Sequence, residues 1–330
     1  NQQIGDLLKN SYNFFLGKLI KEVFFLYFWA SEKISQKICY SKKQDIQILK
    51  GLRSNILDLV QVYFLYLPMD LEISKIEKIF HSLVEPILLN YKVSTQNGQN
   101  DSGVLEFCKI ILLKKKNIIQ REMIRVIFSH TLIPSLNFIN TNFEDNMDLR
   151  KNFFSLLRIL ILDFFPEIFK LDNNPVKAEK FFEIIIHSLS WGFKHFEKEI
   201  SKKSIESLLY LVDSIGQESL KHHFFFKFFK QLMNDLFSVM IDGLHFSCFK
   251  LQCKLFFKLF QISKEYSENS VVQTCLLNFF TNSFLEIGPD ELEKLISDLL
   301  NEADEEKFRK KIFLGVKFNP ISQEESSSMD

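Results

Sequence analysis

Residues 142–169 read NFEDNMDLRKNFFSLLRILILDFFPEIF, and residues 181–196 read FFEIIIHSLSWGFKHF. In each stretch, charged side chains interrupt an apolar run at helical intervals, which predicts an amphipathic α-helix. A short polar segment that contains Pro175 joins the two stretches, so we expect the helices to fold back on each other. Helical hairpins of this size are the repeating unit of solenoid proteins.

The rest of the chain continues this pattern, with a repeat of roughly 40 to 47 residues per helix pair, as in HEAT proteins. A polar loop is expected at 94–103, and Ser201 and Asp290 are predicted N-caps, the latter with Glu293 as a capping box. Helices are predicted at 4–28, 31–40, 44–66, 71–91, 104–113, 118–140, 149–169, 176–198, 202–220, 224–242, 245–266, 270–286 and 290–312.

The composition supports an all-α protein. Hydrophobic residues make up 46% of the 330 residues, and 37 Phe stand against only 10 Gly and 7 Pro, which favours long packed helices over a turn-rich sheet. No stretch sustains two-residue alternation. We therefore predict an all-α HEAT-repeat α-solenoid, with antiparallel hairpins stacked into a curved superhelix, as one domain over 1–312. Residues 313–330 are predicted to form a flexible tail.

Several functional classes lack support in the sequence. The net charge of zero gives a nucleic-acid role no electrostatic basis. The apolar runs at 14–30 and 153–169 each contain charged residues, so both are expected to be buried solenoid helices rather than membrane spans. The five cysteines form no CxxC pair, which fits thiols in a reducing compartment. The chain opens at Asn1 without Met, so a fragment or a trimmed numbering is expected.

Catalytic and metal-binding motifs are also missing from the sequence. His187 and His195 could share a helix face but have no third ligand at suitable spacing, and His245 with Cys248 supplies two ligands only. There is no GxSxG and no glycine-rich phosphate loop. We expect no enzyme activity, no metal and no cofactor.

A series of short motifs resembles the exportin-1 family of nuclear export receptors, in the order expected for its C-terminal HEAT repeats. They cover about the last third of such a chain, and residues 1 to 80 match less closely. The motifs are Pro86-Ile87-Leu88 with Asn90-Tyr91, Asn142-Phe143-Glu144, the Arg150/Asn152/Phe153/Phe154 cluster, Phe165-Pro166, Trp191 to His195, Leu236 to Val239, Ala303 to Lys307, and Phe318-Asn319-Pro320.

The resemblance implies a karyopherin of the importin-β class, of which this chain supplies the C-terminal arch and a regulatory C-terminal helix. Its implied partners are Ran-GTP, cargo proteins with leucine-rich export signals, and nuclear pore proteins, and it implies shuttling between nucleus and cytoplasm. Residues 290 to 330 are expected to modulate cargo affinity. The groove for export signals lies upstream of this segment in the family, so none of the cysteines is assigned to it.

Seven residues are candidates for partner contact. Glu144 and Asp145 end a predicted loop, Lys194 is expected on an exposed helix face, and the remaining four are Glu302, Asp304, Glu305 and Glu306. Each has a structural alternative: Glu144 and Asp145 can be cap residues, and the acids at 302–306 can pair with the bases that follow them on the same helix.

Three other interpretations are weighed. A generic HEAT scaffold, such as a phosphatase or coat subunit, would share the architecture without dependence on Ran. The second is a reduced exportin with a narrower cargo range, because the stretch between Phe284 and Ala303 is shorter than the family pattern by about one helical pair. The third is an enzyme of unknown type, which a pocket with converging polar side chains would support.

Overall fold

The computed structural model describes residues 22–36, 43–66, 72–114, 116, 119–141, 146–168, 175–215, 224–241, 248–266, 274, 277–278, 280–281 and 288–317. Within these ranges all regular structure is helical and no strand is present. The helices are α1 (22–36), α2 (Lys43–Leu65), α3 (Ile73–Ile79, Phe80–Val84 and Glu85–Gln96), α4 (Ser102–Lys114), α5 (Arg121–Ile127, Phe128–Leu132 and Ile133–Thr141), α6 (Met147–Ile168), α7 (Pro175–Phe193), α8 (Lys198–Ser214), α9 (Phe225–Phe229 and Lys230–Ile241), α10 (Phe249–Tyr266), α11 (Pro289–Asn301) and α12 (Glu305–Lys317).

The chain divides into two compact units, 1–156 and 157–330, with the boundary inside α6. In the first unit α2 packs on α4, and α3 packs on both α4 and α5. In the second unit α7 packs on α8 and α9, α8 and α9 pack on α10, and α12 packs on α10 and α11. Each unit thus pairs a helix with its sequence neighbour and with the next helix but one, which is the contact pattern of stacked hairpins. The all-α HEAT-repeat fold is confirmed, while the prediction of a single domain over 1–312 stays a prediction.

Side-chain hydrogen bonds record the repeat length directly. Bonds between neighbouring hairpins join residues that are 44 to 50 positions apart, in both units. Examples are Tyr91 to Ser135 in the first unit and Asp213 to Lys258 in the second. Five of these seven separations lie within the predicted 40 to 47 residues, and the other two are 48 and 50.

Two helices share an unusual feature at equivalent positions. The π-helical turn Phe80–Val84 lies just before Pro86 in α3, and the π-helical turn Phe128–Leu132 lies just before Pro134 in α5. Proline lacks the N–H donor and crowds the carbonyl four residues back, so a locally widened turn lets the helix continue without a break. A third π turn, Phe225–Phe229, opens α9 without an adjacent proline.

Three predicted boundaries are wrong. Residues 28–31 do not separate two helices, since α1 runs through them and the Ser31 hydroxyl donates to the Tyr27 carbonyl as in an uninterrupted helix. The predicted loop at 94–103 shrinks to residues 97–101, because α3 extends to Gln96 and α4 begins at Ser102. The predicted helix 290–312 is two helices, α11 and α12.

The break between α11 and α12 has a local cause. Glu302 is in an extended conformation, and its carboxylate accepts hydrogen bonds from the backbone N–H groups of Ala303 and Asp304. The Asp304 carboxylate in turn accepts from the N–H of Lys307, which starts the next helix. α12 then continues to Lys317, five residues past the predicted helix end at 312, and residues 318–330 lie outside the described part.

Both predicted caps are misplaced. α8 begins at Lys198, so Ser201 lies inside the helix, where its hydroxyl donates to the Phe193 carbonyl at the end of α7. α11 begins at Pro289 after Gly288, and Asp290 is therefore in the first turn rather than at the cap. Ser201 still has a structural function, because its bond closes the α7–α8 hairpin.

Candidate partner-binding surfaces

The acidic residues at 302–306 are used largely within the chain. Besides its two backbone bonds, the Glu302 carboxylate pairs with Lys311 Nζ at 2.8 Å, and these partners hold its pKa below the ordinary value. Lys311 also donates to the carbonyl of Asp298, near the end of α11. Glu302, Asp304 and Lys311 thus form a clip between the two helices.

Glu305 and Glu306 are more accessible. Both are exposed in the first turn of α12, where negative charge is favourable to the helix dipole. Glu306 Oε1 lies 3.7 Å from Arg309 and 3.6 Å from Lys310, distances typical of weak surface pairs. The predicted order of acids before bases is confirmed for this helix, and its paired charges match the structural alternative.

Lys194 is held by the neighbouring hairpin. Its Nζ lies 3.1 Å from Oδ1 of Asp235 on α9, and Oδ2 of the same carboxylate accepts a hydrogen bond from the Ser190 hydroxyl on α7. The sequence indicated exposure, and the side chain is indeed 42% exposed, but it did not reveal this partner. Glu144 and Asp145, the remaining predicted residues, lie outside the described residues.

The Arg150/Asn152/Phe153/Phe154 motif lies in the interior of the first unit. Arg150, Phe153 and Phe154 are each only 1% exposed, and the two phenylalanine rings pack edge to face. The Asn152 side-chain amide donates to the carbonyl of Ser102 at the start of α4. Three of the four motif residues are therefore buried in the packing of α6, and Asn152 is partly exposed.

His195, in the turn after α7, forms its contacts within the chain. His195 is buried, and its Nδ1 accepts a hydrogen bond from the backbone N–H of Glu197 at 3.0 Å. Its ring packs against Trp191 and stacks on Phe196. Trp191 itself is partly exposed.

Helix α1 exposes a large apolar surface that the sequence did not indicate. Phe25 is 66% exposed, and Leu26 and Trp29 are about 40% exposed, whereas Tyr27, Ala30 and Ile34 face the interior. The expectation that the whole run at 14–30 is buried is thus wrong for these side chains. A helix with apolar residues on two faces needs a second contact to cover them.

A shallow groove lies between α3 and α5. Its volume is about 440 Å³, and its lining combines apolar side chains with polar ones and a lysine: Lys92, Thr95, Gln96, Gly98, Ser129, Ile133, Pro134, Asn137, Phe138 and Thr141. Pro134 in the lining follows directly after the widened turn of α5. No sequence signal marks this groove, because it depends on two helices that are distant in the chain.

No three His, Cys, Asp or Glu side chains among the described residues are grouped closely enough to hold a metal ion. Burial raises the pKa of the Cys108 thiol, and it raises that of Cys253 to about 12, so both thiols are protonated near neutral pH. None of the helices in the described ranges is long and apolar enough to span a membrane.

Comparison with known proteins agrees with the fold and with the family expected from the sequence. The family described as CRM1 C terminal matches residues 16–314. Exportin-1 of Dictyostelium discoideum is 25% identical over 92% of this chain and 29% of its own length. Exportin-1 of Schizosaccharomyces pombe is 24% identical over 79% of this chain and 25% of its own. Protein EXPORTIN 1A of Arabidopsis thaliana is 25% identical over 67% and 20%, respectively.

This chain therefore spans between a fifth and three tenths of the length of these relatives. The family match extends through the helices of both units, from before α1 into α12. It bears out the family predicted from the motifs. The chain belongs to the CRM1 C-terminal family.

Proposed function

We propose that this chain is the C-terminal HEAT-repeat part of a nuclear export receptor. It acts with Ran-GTP, carries cargo with leucine-rich export signals, contacts nuclear pore proteins and shuttles between nucleus and cytoplasm. It is a binding protein without enzyme activity or cofactor. The observation that carries this proposal is the family match over residues 16–314, joined to relatives that are named exportin-1.

The contacts in α11 and α12 sharpen the choice of partner-binding residues. Of the four acids at 302–306, Glu305 and Glu306 are the ones that α12 offers to a partner. Glu302 and Asp304 maintain the clip and support the surface indirectly. Lys194, which pairs with Asp235 on α9, is a further proposed partner-binding residue. Glu144 and Asp145 complete the proposed partner-binding set.

We assign the regulatory function to residues 290–330, with α12 as their anchored part. Phe308 is fully buried, and its ring packs against those of Phe256, Phe257 and Phe260 on α10. Regulation by α12 needs two arrangements of the receptor, one with α12 docked on α10 and one with α12 released. A ligand shifts the equilibrium between them only if it binds them with different affinity. Ran-GTP would therefore have to bind one of these two arrangements more tightly than the other.

The test uses the intact receptor and a leucine-rich export-signal peptide. Capture of the peptide is measured with Ran loaded with GTP or with GDP, with and without residues 300–330. We expect GTP-dependent capture by the full receptor and reduced dependence after truncation. Equal capture under all conditions contradicts the regulatory proposal, and absence of any Ran binding favours a generic HEAT scaffold.

A matched pair of charge reversals tests the contact residues. Glu305→Lys changes the exposed first turn of α12, and Asp58→Lys changes an exposed position on α2, outside residues 290–330. If α12 provides the contact, Ran-dependent capture falls for Glu305→Lys and is unchanged for Asp58→Lys. The same loss in both variants points to a nonspecific charge effect.

A further inference from the structure

Residues 97–101 connect α3 to α4, and we call them the 97–101 joint. Their backbone is fixed by the end of α3. The N–H of Asn97 donates to the Val93 carbonyl, the N–H of Gln99 donates to the Ser94 carbonyl at 2.9 Å, and Gly98 has a φ of 80°. This left-handed turn suits glycine and reverses the chain within five residues. The joint is therefore short and has little backbone freedom.

One side of the joint is tied to α2 and α1 by a buried arginine. Arg53 Nη2 lies 3.0 Å from Asp101 Oδ2 and donates to the Tyr27 hydroxyl at 3.2 Å. The guanidinium also stacks over the Tyr27 ring, which has no exposed surface. The other Asp101 oxygen accepts from the N–H of Gly103 in the first turn of α4. A buried charge depends strongly on its counter-ion, so this contact holds three helices together.

The other side of the joint is tied to the start of α6. The Asn100 amide donates to the Asn146 side-chain oxygen at 2.8 Å. Asn146 has a φ of 77°, and its carbonyl accepts from the N–H of Arg150 in the first turn of α6. On α1, Ser35 contacts Gln99 at 3.3 Å. Arg53, Tyr27, Ser35 and Asn146 all belong to the first unit.

We propose that the 97–101 joint is a coupling element that links the α1–α2 hairpin to the N-terminus of α6. A displacement of α2 moves Asp101 through Arg53, and because the joint is short and its backbone is bonded to α3, the displacement continues to Asn100 and Asn146. Coupling of this kind is reciprocal, so loosening the start of α6 also loosens α2. The proposal does not depend on the export function, since it concerns the chain without partners.

Hydrogen exchange of the full chain tests the coupling from α2 to the start of α6. Arg53→Met removes the charge and keeps an unbranched apolar stem. We expect exchange of amides 146–152 to rise by about tenfold or more, because the openings that expose them become more frequent. Lys258→Met, which breaks an exposed ion pair with Asp213, is the control and leaves amides 146–152 unchanged. A rise confined to α1, α2 and the joint overturns the proposal.

A second exchange experiment tests the coupling from the start of α6 to α2. It uses a milder variant, in case Arg53→Met does not fold. Asn100→Ala removes the bond to Asn146 and leaves the Arg53–Asp101 pair intact. We expect exchange in α2 around Arg53 to rise by about threefold, alongside the larger rise at 146–152. Gln96→Ala, an exposed change at the end of α3, is the matched control. Unchanged exchange in α2 with faster exchange at 146–152 overturns the proposal.

Discussion

The two units connect neighbouring hairpins by different chemistry. In the first unit the connections are buried or partly buried: Tyr91 with Ser135, Arg53 with Asp101 and Tyr27, and Asn100 with Asn146. In the second unit most of them are ion pairs near the surface, where Lys227 pairs with Glu179 and Glu183, and Lys194 pairs with Asp235. The buried Ser190 also donates to Asp235 and is the exception. The second unit compensates with a core of phenylalanine rings around Phe256.

This difference predicts how each unit responds to perturbation. Buried polar contacts are shielded from salt but leave unsatisfied groups when one partner is removed. Exposed ion pairs are weak, are screened by salt and tolerate substitution. The second unit is therefore expected to depend on its aromatic core, and the first on its specific polar pairs.

The largest effect is expected from the aromatic core of the second unit. Phe256 is fully buried, with ring centroids 4.6 Å from Phe237 and 4.9 Å from Phe260. Phe256→Ala leaves a cavity and should lower the free energy of unfolding by about 3–5 kcal/mol, measured by urea denaturation. Phe257→Ala, at a partly exposed position on the same helix, should have a clearly smaller effect. Equal losses would show that burial does not decide the difference.

A buried hydroxyl pair in the first unit should give the next largest effect. The Tyr91 hydroxyl lies 2.7 Å from Ser135 Oγ, and Ser135 donates to the Thr131 carbonyl. Tyr91→Phe therefore removes one hydroxyl group from a buried chain of hydrogen bonds. We expect a loss of about 1–2 kcal/mol. The loss should persist in about 1 M NaCl, because buried contacts are poorly screened.

Tyr210→Phe is the control for that variant, since Tyr210 is 40% exposed and its hydroxyl reaches solvent. It should be nearly neutral in the same denaturation experiment. A loss for Tyr91→Phe that disappears in salt would contradict the contrast between the two units.

The surface pairs of the second unit should show the opposite behaviour. Asp235→Asn removes the charge that pairs with Lys194 and should lower stability by about 1 kcal/mol or less at low salt. The difference from the unmodified chain should shrink in about 1 M NaCl. Asp58→Asn, at an exposed position on α2, is the control. A loss of stability that does not depend on salt would show that Asp235 acts through a buried contact, as Tyr91 does.

The smallest effect is expected from pH at the α11–α12 clip. Lys311 and the N–H of Asp304 lower the pKa of Glu302 in the folded state, so the clip is fully stabilising above the ordinary glutamate pKa of 4.5. This contribution is lost as the pH falls through the lower folded-state pKa. Exchange of the Ala303 and Asp304 amides, corrected for intrinsic rates, should rise over that window. Glu302→Gln should remove this pH dependence of exchange. If the pH dependence persists in this variant, a group other than Glu302 is titrating.

The positions of the helices were accessible from the sequence wherever a long apolar face was present. α7 and α8 follow from their periodicity, and the buried residues Ile205, Leu208 and Val212 lie on the face that the pattern indicates. The helix ends were less accessible. Ser201 and Glu302 each bond to backbone groups that a neighbouring turn provides, and intrinsic preferences do not report such bonds.

For the candidate surfaces, the sequence identified charged residues but not their partners. The exposed position of Lys194 follows from its place directly after α7, whereas its pairing with Asp235 requires the next hairpin to be in position. The groove between α3 and α5 had no sequence signal at all, although Pro86 and Pro134 mark the two helices whose turns are widened. Burial of the Arg150 motif was likewise invisible, because arginine is usually exposed.

The sequence by itself determined that the chain is helical, that its helices pair at short loops, and that it belongs to a particular family. These properties are local or depend on short ordered motifs, and a 3.6-residue period is enough to show which face is apolar. Only the tertiary structure decided which polar groups meet, such as Arg53 with Asp101 and Lys194 with Asp235. Partners in a stacked-hairpin fold lie about one repeat apart in the chain, and no local pattern specifies a contact over that distance.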